Sequence, residues 1–101
     1  MTSELLEEDL QGVQGPLLIS SKTRPQSAAR AIFRLITVDH VWPDVRAIGH
    51  GAVGQAVKAL AIARGLLAAQ AIDMAVLPGF TNVESDSGEE ISAIVFKLIE
   101  R

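Results

Sequence analysis

AIGHGAVGQAVKALAIARG, residues 47–65, decides how the whole chain is read. Its first half holds a G-x-G-x-x-G, formed by Gly49, Gly51 and Gly54. Its second half repeats apolar residues at helical spacing. Val53, Ala56, Val57, Leu60, Ala63 and Leu67 form one face suited to cover a sheet, in a helix from Ala52 to about Leu67. Ala59, Ile62 and Leu66 form a second apolar stripe. A helix lying on one sheet needs only one stripe, so the second packs on another helix or meets a partner chain. Val45 to Ile48 precedes the glycines as a short strand. The unit is therefore strand, glycine turn, helix.

Such a unit suggests a dinucleotide site, and the rest of the chain argues against one. A doubly wound dinucleotide fold needs two βαβαβ halves, and 101 residues amount to a single ordinary domain. The acid that would hold the ribose belongs at the end of the next strand. That strand, read over Ile72–Leu77, runs into Pro78-Gly79, and Asp73 lies at its beginning. The glycines have a structural reading instead. Gly49 and Gly51 let a strand turn sharply into a helix, and Gly54 leaves room for another backbone or chain. The helix start still offers free N–H groups to an anion such as a nucleic-acid phosphate. His50 is a turn residue there, or a phosphate contact.

Working outward, Leu17-Leu18-Ile19-Ser20 reads as a buried strand and Ser21-Lys22-Thr23-Arg24 as a polar loop. Pro25 opens a helix that runs to about Thr37. Ala28, Ala29, Ile32, Phe33 and Ile36 make its buried stripe, and Arg30 and Arg34 its wet side. Val38-Asp39-His40-Val41-Trp42-Pro43 is a connection, with Trp42 either a lid on the core or an interface anchor. Pro78-Gly79-Phe80-Thr81 leads into an acidic turn over residues 84–90, and Ile91–Ile99 is the last strand. The order is β-α-β-α-β-β, an α/β (α+β) two-layer sandwich with a mixed four-stranded sheet. Ile91, Ala93 and Val95 alternate with Ile94, Phe96 and Leu98, so both faces of the last strand are apolar. Two helices cover one face of a sheet, and the other is left bare. Self-association into a dimer or larger is expected, with Ala59, Ile62, Leu66, Ile94 and Phe96 as interface candidates.

Net charge is −3, unevenly placed. Residues 1–15 read as a flexible acidic leader carrying Glu4, Glu7, Glu8 and Asp9 and no base. Residues 16–101, the expected folded domain, carry the other 8 of the 12 acids against all 9 bases, a net charge of +1. That is not the strong basic footprint of a dedicated DNA binder. The chain has no cysteine, which excludes disulfides and thiolate metal sites and suits a reducing cytoplasm. No secretory signal is visible. The longest apolar run, residues 59–69, is broken by Arg64 and Gly65 and is shorter than a bilayer span. No metal site is expected, because neither His40 nor His50 has a second ligand at suitable spacing. Ser20 and Ser21 have no recognisable base partner, and Glu89 and Glu90 would face opposite ways in a strand. No catalytic residue, cofactor or bound dinucleotide is expected.

AIGHGAVGQAVKALAIARG, followed by Ile72-Asp73 and Pro78-Gly79-Phe80-Thr81, closely resembles the stage V sporulation protein S family. Ser21-Lys22-Thr23-Arg24-Pro25-Gln26-Ser27 is similar to that family's first loop, and Gly88-Glu89-Glu90 with Ala93-Ile94 to its closing hairpin. The resemblance covers about residues 16–101. It implies a fold shared with the Alba superfamily of chromatin and RNA-binding proteins, with sheet order 1-2-4-3, and a role in bacterial sporulation and developmental regulation. Alba proteins act as dimers and bind nucleic acid through a basic first loop, a basic second strand-to-helix turn and a basic final hairpin. This chain keeps Lys22 and Arg24 in the first loop. Gly49 and Gly51 stand where relatives often carry arginine, and the hairpin is acidic, with Glu84, Asp86, Glu89 and Glu90. The residues expected to touch DNA or RNA phosphates are Lys22, Arg24, Arg30, Arg46, Gly49, His50, Gly51 and Lys58. A self-assembling scaffold that binds protein and no nucleic acid is the alternative.

Overall fold

The computed structural model describes residues 15–101; the acidic leader lies outside the described residues, Gly15 excepted. The elements follow the expected order: β1 (Leu17–Ile19), α1 (Pro25–Thr37), β2 (Val45–Ala47), α2 (His50–Ala68), β3 (Met74–Glu84) and β4 (Glu90–Glu100). The sheet order is β1-β2-β4-β3. β1 and β2 run parallel, and β4 is antiparallel to both its neighbours. The arrangement is α+β, with two helices against a mixed four-stranded sheet, consistent with an Alba-like fold.

Pro25 stands in the first turn of α1, where its missing N–H is an orphan anyway. Ala28, Ala29, Ala31, Ile32, Leu35 and Ile36 are buried along one side of that helix. Phe33, expected in the stripe, is half-buried at its margin, and Leu35 takes its place. α2 buries Ala52, Ala56, Ala59, Leu60, Ala63 and Leu67. Small alanines on both helices let them close on each other and on the sheet, where Leu17, Ile19, Val45, Ala47, Met74, Phe96 and Leu98 complete the core. Trp42 packs on that core from the β2 side, half-buried. By length and composition α2, at 19 residues, could cross a bilayer, unlike the shorter run read from the sequence; its six buried residues are the part of it that floors the core.

Three boundaries differ from the sequence reading. α2 starts at His50, immediately after Gly49, whose φ of 89° is open to glycine. β3 begins at Met74, because Ala71 adopts a left-handed φ of 63° and closes α2 through Ala71 N–H to Ala68 O (2.9 Å) and Ile72 N–H to Leu67 O (3.0 Å). β3 then runs through Pro78-Gly79 to Glu84 and pairs with β4 along its whole length. β3 is an edge strand, and an edge tolerates proline because one side of its backbone has no partner.

Register sorts the sheet's side chains. Directly opposite residues share a face. Val45 lies opposite Phe96 and Ala47 opposite Ile94, under the helices. Leu18, Arg46, Val95 and Gly79 form a row across the other face, flanked by Leu77 with Lys97 and Ala75 with Ile99. Among the described residues, no helix covers that face. Leu18 is 67% exposed and Leu77 52%.

Candidate nucleic-acid interface

The first loop and the second strand-to-helix turn come together, because β1 and β2 are parallel neighbours and both end at the same edge of the sheet. Ser20 organises the loop. Its N–H donates to Thr23 Oγ1 at 2.9 Å, and its hydroxyl accepts the Lys22 N–H at 3.1 Å. The start of α2 presses on this loop. A Cβ on Gly51 would stand 2.8 Å from the Ser21 Cβ, closer than real side chains come. One turn on, Gln55 Nε2 donates to Thr23 O at 2.8 Å. Lys58 Nζ reaches Gln55 Oε1 at 3.5 Å. Gln55 thus fastens one side of α2 to a loop some thirty residues earlier, with Gly51 closely apposed to Ser21 and Lys58 held on Gln55 itself.

A cleft of about 500 Å³ opens between loop and turn, lined by Leu18, Ser20, Ser21, Arg46, Ile48, Gly49 and Gly51, among others. Arg46 Nε is buried there without a hydrogen-bond partner. Of the expected phosphate contacts, the structure brings Arg46, Gly49 and Gly51 together in this cleft. Lys22 is exposed in the adjoining loop, and Arg24 is exposed at the start of α1. Lys58 joins the group through Gln55. Arg30 is exposed on α1. His50 lines a second groove, on the far side of the α2 start. Gln55 is a site residue that sequence reasoning misses; a glutamine in a helix gives no sign in sequence of a loop carbonyl waiting for it.

The hairpin joining β3 and β4 projects from the same end of the sheet. β4 extends four residues beyond Ile94, the partner of Ala47, to Glu90. Its turn is held by Ser85 N–H to Glu89 O (2.7 Å) and Gly88 N–H to Ser85 O (2.9 Å). Glu84, Asp86, Glu89 and Glu90 are exposed on it. The basic loop and the acidic hairpin therefore lie at the same end of the sheet.

The interface candidates divide. Ala59 is 0% exposed and Phe96 6%, both inside the core, so neither reaches another chain. For Phe96 the reason is register, which puts it beside Val45 under the helices. Ala59 faces inward because α2 is rotated toward Ala52–Ala59 and away from Val57, which is 51% exposed. Ile62 and Ile94 are half-buried against the core, and Leu66 is 39% exposed. Gly54 has nothing within 4 Å of where its Cβ would be, so no described residue of this chain makes the close approach its sequence suggested.

The crossover from β2 through α2 lands on β3, with β4 between them. A dinucleotide-binding βαβ unit instead joins neighbouring parallel strands. The model of the family described as stage V sporulation protein S matches residues 16–101. The chain belongs to that family, and membership implies a sporulation-related role.

Proposed function

From that membership we propose that the chain is a non-enzymatic, cytoplasmic regulator of bacterial development, which acts as a homo-oligomer and binds nucleic acid through phosphates. The observation that carries this reading is the junction of first loop and α2 start. It offers free helix N–H groups, the unpartnered Arg46 Nε, and the exposed Lys22, Arg24 and Lys58 around them. Oligomerisation would repeat this small patch, so that several weak phosphate contacts add. We assign the protein no cofactor, no dinucleotide and no membrane. A second reading, a scaffold that binds only protein, is favoured by the uncovered sheet face with Leu18 and Leu77 exposed on it.

Gel-shift titrations with mixed DNA and RNA at two salt concentrations separate the two. Binding should fall steeply with salt. Lys22→Ala with Arg24→Ala should weaken it about equally for all sequences, since phosphate contacts carry no base information. It should also flatten the salt slope by about one unit for every phosphate no longer neutralised. Removing residues 1–15 deletes four acids and should tighten binding. A double variant that binds as wild type would remove the first loop from the interface. No binding by either form at low salt would leave the scaffold.

A further inference from the structure

Phe80 is 83% exposed, the most exposed large apolar side chain among the described residues. It lies on the helix side of the projecting hairpin, opposite Ile94, just beyond the part of the sheet that α2 covers. Between it and the start of α2 runs a groove of about 530 Å³, lined in part by Gly49, His50, Gly54, Phe80, Ser92 and Ile94.

The surroundings say what would fit. One aromatic face is open. Ser92 and Asn82, opposite each other in the hairpin, share that face and offer a hydroxyl and a side-chain amide. His50 offers an imidazole across the groove. Gly49 and Gly54 leave the α2 wall without side chains at those points, which admits a flat ring. A greasy protein helix would strand Ser92 and His50 without partners. A planar, heteroatom-edged ring would use them.

We propose that this groove takes an unpaired nucleobase of single-stranded nucleic acid, stacked on Phe80. This rests on the nucleic-acid reading above and names its substrate class. In a duplex the base faces are already stacked and out of reach. A duplex would also bring both rows of phosphates toward Glu84, Asp86, Glu89 and Glu90 at the hairpin tip, and like charges repel. A single strand can turn its base to the hairpin and its phosphate to the free N–H groups at the α2 start.

The test is fluorescence anisotropy on the full chain with three labelled probes: a single-stranded oligothymidylate of about 12 nucleotides, an abasic strand of equal length, and a mixed-sequence duplex. Wild type should bind the oligothymidylate best. Phe80→Ala should weaken that binding roughly tenfold, about 1.4 kcal/mol, and leave the abasic strand unchanged. Phe80→Trp should retain affinity, and its fluorescence should be quenched by the oligothymidylate and not by the duplex. Phe80 is outside the core, so these variants keep the fold; circular dichroism checks this. Equal binding of base-bearing and abasic strands, unchanged by Phe80→Ala, overturns the stacking site and leaves phosphate binding standing. No binding of any probe at low salt overturns both. A change of oligomeric mass in Phe80→Ala, by light scattering, makes the groove a contact between copies and overturns the proposal.

Discussion

Gly51 shows how much one missing methyl group can carry. An alanine there would place its Cβ 2.8 Å from that of Ser21, so either the loop or the helix start must move. Gly51→Ala should cost about 1–3 kcal/mol, the usual penalty for overpacking. Ser21→Gly in the same chain should recover much of it, a coupling that a denaturant-unfolding cycle of the two variants measures. Ala71 is the opposite case. It occupies a left-handed φ of 63°, where a Cβ costs about 1–2 kcal/mol. Glycine relieves that strain and loses about 0.5–1 kcal/mol to chain entropy. Ala71→Gly should therefore leave the protein as stable or up to about 1.5 kcal/mol more so, read from its unfolding midpoint. In sequence, Gly51 is legible as a sharp turn. Ser21 as the thing it touches is not, because that contact joins residues thirty apart and depends on β1 and β2 lying side by side.

At the scale of elements, α2 carries two glycines that its own fold does not require. Nothing lies within 4 Å of a Cβ at Gly54 or Gly65. Glycine inside a helix costs about 0.8–1 kcal/mol against alanine. Gly54→Ala and Gly65→Ala should each raise thermal stability by about that amount, seen in calorimetry. If either lowers the mass seen by light scattering while raising stability, that glycine serves a contact between chains. The helices are legible in the sequence because their apolar spacing is unmistakable. The strands are less so. Pro78-Gly79 reads as a stop, and on an interior strand it would be one; on the free edge of β3 it passes, and the hairpin runs five residues further, to Glu84. That extension hides Phe80 from a sequence reading, which puts it in a loop, whereas register puts it on a strand face. It also hides which apolar side of β4 is the bare one.

For the whole molecule, the proposed assembly turns on the sheet face that no described helix covers. Among the described residues that face exposes Leu18, Leu77 and Ile99, with Arg46 and the weak Lys97–Asp44 pair at 3.9 Å as the charges of its strands and their margin. That pair, like Asp73 with Arg101 at 3.3 Å and Arg64 at 3.8 Å, is exposed and contributes little to stability. Leu18→Glu with Leu77→Glu puts two charges on this face without touching the core. The pair should reduce the mass measured by light scattering and change the unfolding free energy of the resulting monomer by less than about 0.5 kcal/mol per site. Wild-type protein that is already monomeric at high micromolar concentration would remove oligomerisation from the proposed function.

The sheet order has a consequence for how the protein is made. β4 is the last strand in chain order and lies between β2 and β3. While it is being synthesised, β2 and β3 have no neighbour to join them, and α2 has only half a floor to rest on. The nascent chain must therefore wait, with its apolar surfaces uncovered, until the final strand has cleared the ribosome's exit tunnel. Folding of this domain is governed by pairing between segments far apart in the chain, and its apolar surfaces are most open to proteases and to chaperone capture before β4 docks between β2 and β3.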